Sequence, residues 1–177
     1  LNSARCCPTR ASLLTGLYPH QAGIGDFVSA QPAPGRGEAY TGHLLADNQT
    51  LAELLRARGY STWMVGKWHM GAPGPLERGF ENYYGFKNLG AHSEGQWNPA
   101  NYVRLPADHP AERSYPEGRF YATDVFADYA LEFLRQARVT PGKPWFLYLA
   151  HSAPHFPLQA PTEAIDRHMA TYRRGWD

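Results

Sequence analysis

Thr50-Leu51-Ala52-Glu53-Leu54-Leu55-Arg56-Ala57-Arg58-Gly59-Tyr60-Ser61-Thr62-Trp63-Met64-Val65-Gly66-Lys67-Trp68-His69 is the stretch that decides the fold class. Thr50 and Glu53 make a capping box, Leu51, Leu54 and Leu55 supply an apolar stripe, and Gly59 stops the helix. Residues 60–65 then read as a strand, because they are short, β-branched and aromatic and have glycine on both sides. In an extended segment Lys67 and His69 point to one side and Trp68 to the other, so an ammonium and an imidazole face one cleft just past the strand. A solvated lysine and an incidental histidine are the bland alternative.

The same order recurs downstream. From Thr123, a plausible N-cap, to Arg138 the positions Phe126, Tyr129, Ala130, Phe133, Leu134 and Ala137 are spaced for an amphipathic helix. Pro141-Gly142 breaks it, and Pro144-Trp145-Phe146-Leu147-Tyr148-Leu149-Ala150 is a continuous apolar run of strand length, as in a buried parallel strand. Helix, strand, helix, buried strand implies an α/β sandwich on a largely parallel sheet. His151-Ser152-Ala153-Pro154-His155-Phe156-Pro157 follows. Two prolines hold His155 just beyond the strand's carboxyl end, where open α/β sheets place ligands. A purely structural histidine is the competing reading, and His151 and Ser152 carry no assignment.

Upstream, Cys6-Cys7-Pro8-Thr9-Arg10-Ala11-Ser12-Leu13-Leu14-Thr15-Gly16 begins and ends a helix: Pro8 suits a first turn and Gly16 a left-handed stop. Cys6 therefore sits at a helix N-terminus, where unpaired N–H groups and the dipole favour negative charge. Arg10 can project back along the same face, so the place suits an anion. The adjacent cysteines admit a vicinal disulfide, half of a zinc site, two buried thiols or a catalytic thiolate. Ring strain disfavours the first, and the lack of a further cysteine to complete the usual ligand sets disfavours the second.

Residues 17–48 lack periodicity and contain Gln31-Pro32-Ala33-Pro34-Gly35-Arg36-Gly37, so a long surface loop is expected. Residues 78–86 read as loop and turn. Residues 87–120, interrupted by Pro99, Pro106, Pro110 and Pro116, read as loops at a pocket mouth that take part in substrate selection, with His92 and His109 as surface residues. The chain has 177 residues, with 17 Lys and Arg against 16 Asp and Glu, a balance that suggests neither a nucleic-acid footprint nor a polybasic membrane surface. No apolar run approaches the roughly 20 residues that span a bilayer. The abundant Tyr, Phe and Trp suit a sugar- or aryl-binding cleft and ordinary packing equally. Because the chain starts at Leu1, with the cysteine motif close behind and no strand before it, it is expected to be an internal piece of a longer protein. The absence of a targeting segment then says nothing about compartment.

Cys6-x-Pro8-Thr9-Arg10 followed by Leu13-Leu14-Thr15-Gly16 resembles the signature of type I sulfatases, in which the first cysteine is oxidised to formylglycine, an aldehyde that hydrates to a geminal diol. Cys7 falls at the variable position. Asn48 to Gly71 is similar to the second sulfatase signature. Arg78-Gly79-Phe80-Glu81-x-x-Tyr84-Gly85-Phe86, Tyr148-Leu149-Ala150 through Pro154-His155-x-Pro157, and the tail from Tyr172 resemble further blocks of that family, in its order.

The resemblance implies the alkaline-phosphatase-like α/β fold. On this reading residues 1–177 are part of a single sulfatase catalytic domain, without its N-terminal strand region and its C-terminal part. It implies hydrolysis of sulfate monoesters: one hydroxyl of the hydrate at position 6 attacks sulfur, and the other then expels sulfate. The implied roles are Arg10 holding the diol, Lys67 neutralising sulfate oxygens, His69 taking the diol proton, and His155 binding sulfate and protonating the leaving oxygen. One Ca²⁺ is implied, with only Cys6, as formylglycine, among its ligands in this chain; the other ligands and a further sulfate-binding lysine are expected outside it. The chain alone is accordingly expected to be inactive.

The implied partners are a sulfated small-molecule or carbohydrate substrate and a formylglycine-generating maturation enzyme. A periplasmic or secreted location is favoured by resemblance alone. A formylglycine-dependent phosphodiesterase or phosphonate monoester hydrolase, and a non-catalytic relative that binds sulfated glycans, are the alternatives.

Overall fold

β1 (Ser61–Gly66) is the strand on which the other layers are built. In the computed structural model, which describes residues 3–28, 35–90, 95–107 and 113–175, it lies parallel to both β2 (Asn82–Phe86) and β4 (Trp145–Ala150). β3 (Tyr102–Leu105) pairs antiparallel with β2, giving the order β3-β2-β1-β4. Side-chain alternation along β1 divides the core. Met64 faces a cluster with Cys7, Ala11 and Leu14 of α1 (Cys6–Thr15), while Trp63 and Val65 face Phe126, Tyr129 and Phe133 of α3 (Ala122–Arg138). The result is the mixed, mostly parallel α/β sandwich expected from the sequence.

α2 (Leu51–Arg56) has the complete capping box, but it buries Ala52, and Leu51 and Leu54 stand exposed. The leucine stripe therefore does not face the core. What fixes α2 is polar: Thr50 Oγ1 donates to the Arg78 carbonyl at 2.8 Å, and the buried Arg78 guanidinium pairs with Glu53 at 3.3 Å and donates to the Leu45 and Asn48 carbonyls. The 17–48 segment is not merely a surface loop either, since Ala22, Ile24 and Leu44 are buried in the cluster around Cys7. β2 replaces the expected loop and turn, β3 falls within 87–120, and α4 (Thr162–Tyr172) follows the His155 loop. Tyr121, not Thr123, occupies the N-cap of α3. β4 is only partly buried, because it is the sheet's edge strand among the described residues and leaves Trp145 and Leu149 exposed. His92, His109 and residues 31–34 lie outside the described residues.

Gly66 closes β1 where the strands crowd. Its φ is +109°, and a Cβ there would stand 2.1 Å from the Ala150 carbonyl oxygen of β4. Gly66→Ala should destabilise the protein by on the order of 1–3 kcal/mol from the backbone conformation alone, with the overlap adding to it. A thermal melt is the check; an unchanged midpoint would mean that the β1–β4 junction yields freely.

Candidate functional site

Past Gly66 the chain does not stay extended. His69 takes a left-handed conformation (φ 53°), a strained geometry for a residue with a side chain. Trp68 holds the kink: it is fully buried, donates its indole N–H to the Gly71 carbonyl at 2.8 Å and meets Phe80 edge-on. Lys67 and His69 thus reach the same place by a different route from the alternation expected of a strand. Both are buried, at 1% and 2% exposure, so neither is the solvated surface residue of the bland reading.

The place they reach is the N-terminus of α1. Cys6 and Cys7 are free thiols, Cys6 half-buried and Cys7 fully buried. Their sulfurs and a His69 ring nitrogen all lie within 4.8 Å of one another. Arg10, one turn along α1, donates from Nη1 to the Lys67 carbonyl at 2.6 Å and contacts the Tyr148 hydroxyl of β4 at 3.3 Å. It therefore ties the helix to the ends of two neighbouring parallel strands.

The two cysteines differ in environment. Burial pushes the Cys7 thiol up to about 11, opposed by the Val28 N–H, which donates to its sulfur at 3.4 Å. With no cation bound, Cys7 is a neutral packing group that anchors the 26–28 segment, whereas Cys6 keeps access to solvent. Burial also pulls the Lys67 ammonium down to about 8, the opposing pull of Cys6 offsetting only part of this and Arg10 adding to it. A buried lysine beside a guanidinium and a helix N-terminus is a site short of negative charge, suited to an anion.

His155 stands elsewhere on the same edge. The Lys67 N–H donates to the Ala150 carbonyl at 2.8 Å, so the loops after β1 and β4 leave the sheet side by side. The His155 N–H closes a turn on the Ser152 carbonyl, and ring Nδ1 lies 2.6 Å from the Phe156 carbonyl. A carbonyl only accepts, so Nδ1 carries a hydrogen and Nε2 is the ring nitrogen not engaged by this contact. The ring lines a cavity of about 490 Å³ with Tyr121, Leu158 and Ile165. A larger one, about 730 Å³, is bounded by His43, Lys87, Val28 and Gly71, the last two adjoining Cys7 and His69 through the Val28 contact and the chain itself. Sequence reasoning also missed Tyr148, Arg10's partner, because its hydroxyl sits in an otherwise apolar strand.

Ca²⁺ takes a shell of oxygen ligands. Among the described residues, the group of acidic, cysteine and histidine side chains close enough to share an ion is Cys6, Cys7 and His69, which offers two sulfurs and a nitrogen. These residues do not fit a calcium shell.

The family model described as Sulfatase matches residues 1–176. An arylsulfatase of Klebsiella aerogenes is 35% identical over 181 residues, a match that covers 98% of this chain and 38% of the relative. An uncharacterized sulfatase of Schizosaccharomyces pombe is 31% identical over 195 residues, covering 99% of this chain and 34% of the relative. The solved structure of Ps i-CgsB in complex with k-i-k-neocarrahexaose superimposes with a TM-score of 0.68 at 31% identity, over 97% of this chain and 39% of that one. The chain thus spans between 34% and 39% of the length of these proteins.

Proposed function

Since the chain belongs to the sulfatase family, we propose that the protein containing it hydrolyses sulfate monoesters, with position 6 bearing the nucleophile. The observation that carries this reading is the meeting of Cys6, at a helix N-terminus, with the buried Lys67 and with Arg10 and His69, a cationic pocket around one solvent-reachable side chain. Formylglycine at position 6 would supply two hydroxyl oxygens on one carbon, one to bond sulfur and one to expel sulfate. Arg10, fixed by the Lys67 carbonyl and Tyr148, orients the position-6 side chain. Lys67 counters the charge of the sulfate oxygens. His69 takes a proton at position 6, and His155 gives one from Nε2 to the departing oxygen. Ca²⁺ belongs to this proposal only as an ion held mainly by residues outside this chain.

The substrate is proposed to be a sulfated carbohydrate or a small aryl sulfate, whose sugar alcohol or phenol departs when position 6 bonds sulfur, and a maturation enzyme is the proposed source of formylglycine. The relative solved in complex with k-i-k-neocarrahexaose supports the carbohydrate class. The test is turnover, by a protein of full family length, of a sulfate monoester against a phosphodiester and a phosphonate monoester. Preference for the sulfate is expected, and preference for either phosphorus substrate would favour the phosphohydrolase alternative.

Lys67 sets the alkaline side of the pH profile. Burial and the neighbouring Arg10 hold the Lys67 ammonium below the ordinary lysine range, so the charge that attracts sulfate is present at low pH and lost on the alkaline side, and kcat/KM should fall as pH rises, at a pH below about 10. Bound sulfate holds the proton on, so the corresponding limb in kcat should lie at higher pH. A kcat/KM profile flat to about 10, the ordinary range of a solvated lysine, would remove Lys67 from sulfate binding.

A further inference from the structure

The donor set that fails to fit calcium fits a different ion. From the geometry we infer that, before Cys6 is converted, the chain holds a thiophilic divalent cation, Zn²⁺ or its spectroscopic stand-in Cd²⁺, between Cys6 Sγ, Cys7 Sγ and a ring nitrogen of His69. The three ligand atoms already lie within 4.8 Å of one another. A tetrahedral zinc, at about 2.3 Å from sulfur and 2.0–2.1 Å from nitrogen, brings its ligand atoms to roughly 3.5–3.8 Å apart, so a contraction of about an ångström closes the site. A fourth position is left for water on the open side of Cys6, the half-exposed member.

Cysteine spacing argued against zinc because no third cysteine exists. The missing ligand is a histidine delivered by the left-handed kink after β1, which no cysteine count can reveal. Binding is balanced as one dication exchanged for two thiol protons, so the unit formed is neutral. That matters because Arg10 and Lys67 stand beside it: a bare dication would be repelled, whereas a neutral dithiolate complex is not. Sulfur and imidazole donors select zinc and cadmium over calcium and magnesium. Conversion of Cys6 replaces a ligand sulfur with an aldehyde and dismantles the site. Metal occupancy and maturation therefore exclude each other, and zinc would protect the Cys6 thiolate from oxidation.

The test uses a protein of full family length, produced without conversion of Cys6 and titrated with Cd²⁺ while thiolate-to-metal charge-transfer absorption is followed in the ultraviolet. One equivalent is expected to give a two-thiolate band that zinc abolishes by competition and a large excess of Ca²⁺ does not. Cys6→Ser should weaken binding by at least about tenfold, the lower end of what losing even a supporting partner of a zinc ligand costs. His69→Ala should also weaken it. Cys6 is half-exposed, so its variant is expected to fold, and a matching thermal melt verifies this; it decides the matter even where Cys7→Ser unfolds the protein. A two-thiolate band of undiminished intensity and affinity in Cys6→Ser, or binding unaltered by His69→Ala in a folded protein, overturns the inference. So does a converted protein that binds Cd²⁺ equally well at this site. None of these readings requires sulfatase activity, so loss of the proposed function would leave this test intact.

Discussion

Cys6→Ala in a protein of full family length should abolish sulfate-ester turnover, by roughly 10⁴-fold or more, as removal of an activated nucleophile does elsewhere, while Cys7→Ser should retain most of it. The asymmetry follows from position. Cys6 opens to solvent at the α1 N-terminus, where Lys67 and His69 converge, whereas Cys7 is sealed in the core and, with no cation bound, its burial keeps it a thiol. A serine hydroxyl at position 7 would find the partners the sulfur now has, the Val28 N–H and the Asp26 carbonyl. Its cost should therefore be limited to about 1–2 kcal/mol of stability. Parallel assays and melts decide between the two positions. Equal loss of turnover in both variants, with both folded, would sink the assignment of Cys6.

His155→Ala should separate substrates by leaving group. A nitrophenolate departs readily without a proton and a sugar alkoxide does not, and positioned acid catalysis contributes on the order of 10²–10⁴-fold where it is needed. Hydrolysis of an alkyl or sugar sulfate should therefore fall far more than that of an activated aryl sulfate, and the dependence of rate on leaving-group pKa should steepen. The Nδ1 contact to the Phe156 carbonyl supports this role, since it fixes the ring and leaves Nε2 to face a substrate. Weakened sulfate binding would lower both rates, so the ratio is the measure. Rates that fall by one common factor would leave His155 as a sulfate ligand and place the acid elsewhere.

What the sequence made legible was local. The periodicity of α3, the capping box of α2, the Gly16 stop of α1 and the apolar run of β4 are each written within a few residues, and each is found. β2 was not legible because Asn82-Tyr83-Tyr84-Gly85-Phe86 is buried on both faces and shows no alternation. Its Tyr83 hydroxyl is satisfied by carbonyls of Gly66 and Phe86, one of them far away in sequence. β3 is four residues between proline-bearing segments, too short to announce itself. The leucines of α2 have the right period and the wrong neighbours: period states that a face is apolar, but only the rest of the fold decides what it meets.

At the site, the motifs named Cys6, Arg10, Lys67, His69 and His155; the first four lie together in the structure, and His155 lines a separate cavity on the same sheet edge. The left-handed turn at His69, the burial of Lys67 and the Arg10–Tyr148 contact depend on distant packing and had no local signal.

Whether position 6 acts as formylglycine is decided by the mass of the peptide that carries it, taken from catalytically active protein. An aldehyde or its hydrate is expected in place of the thiol, present in proportion to specific activity and trapped by a hydrazide. Protein that hydrolyses sulfate esters while every copy of the peptide retains cysteine at position 6 would contradict it.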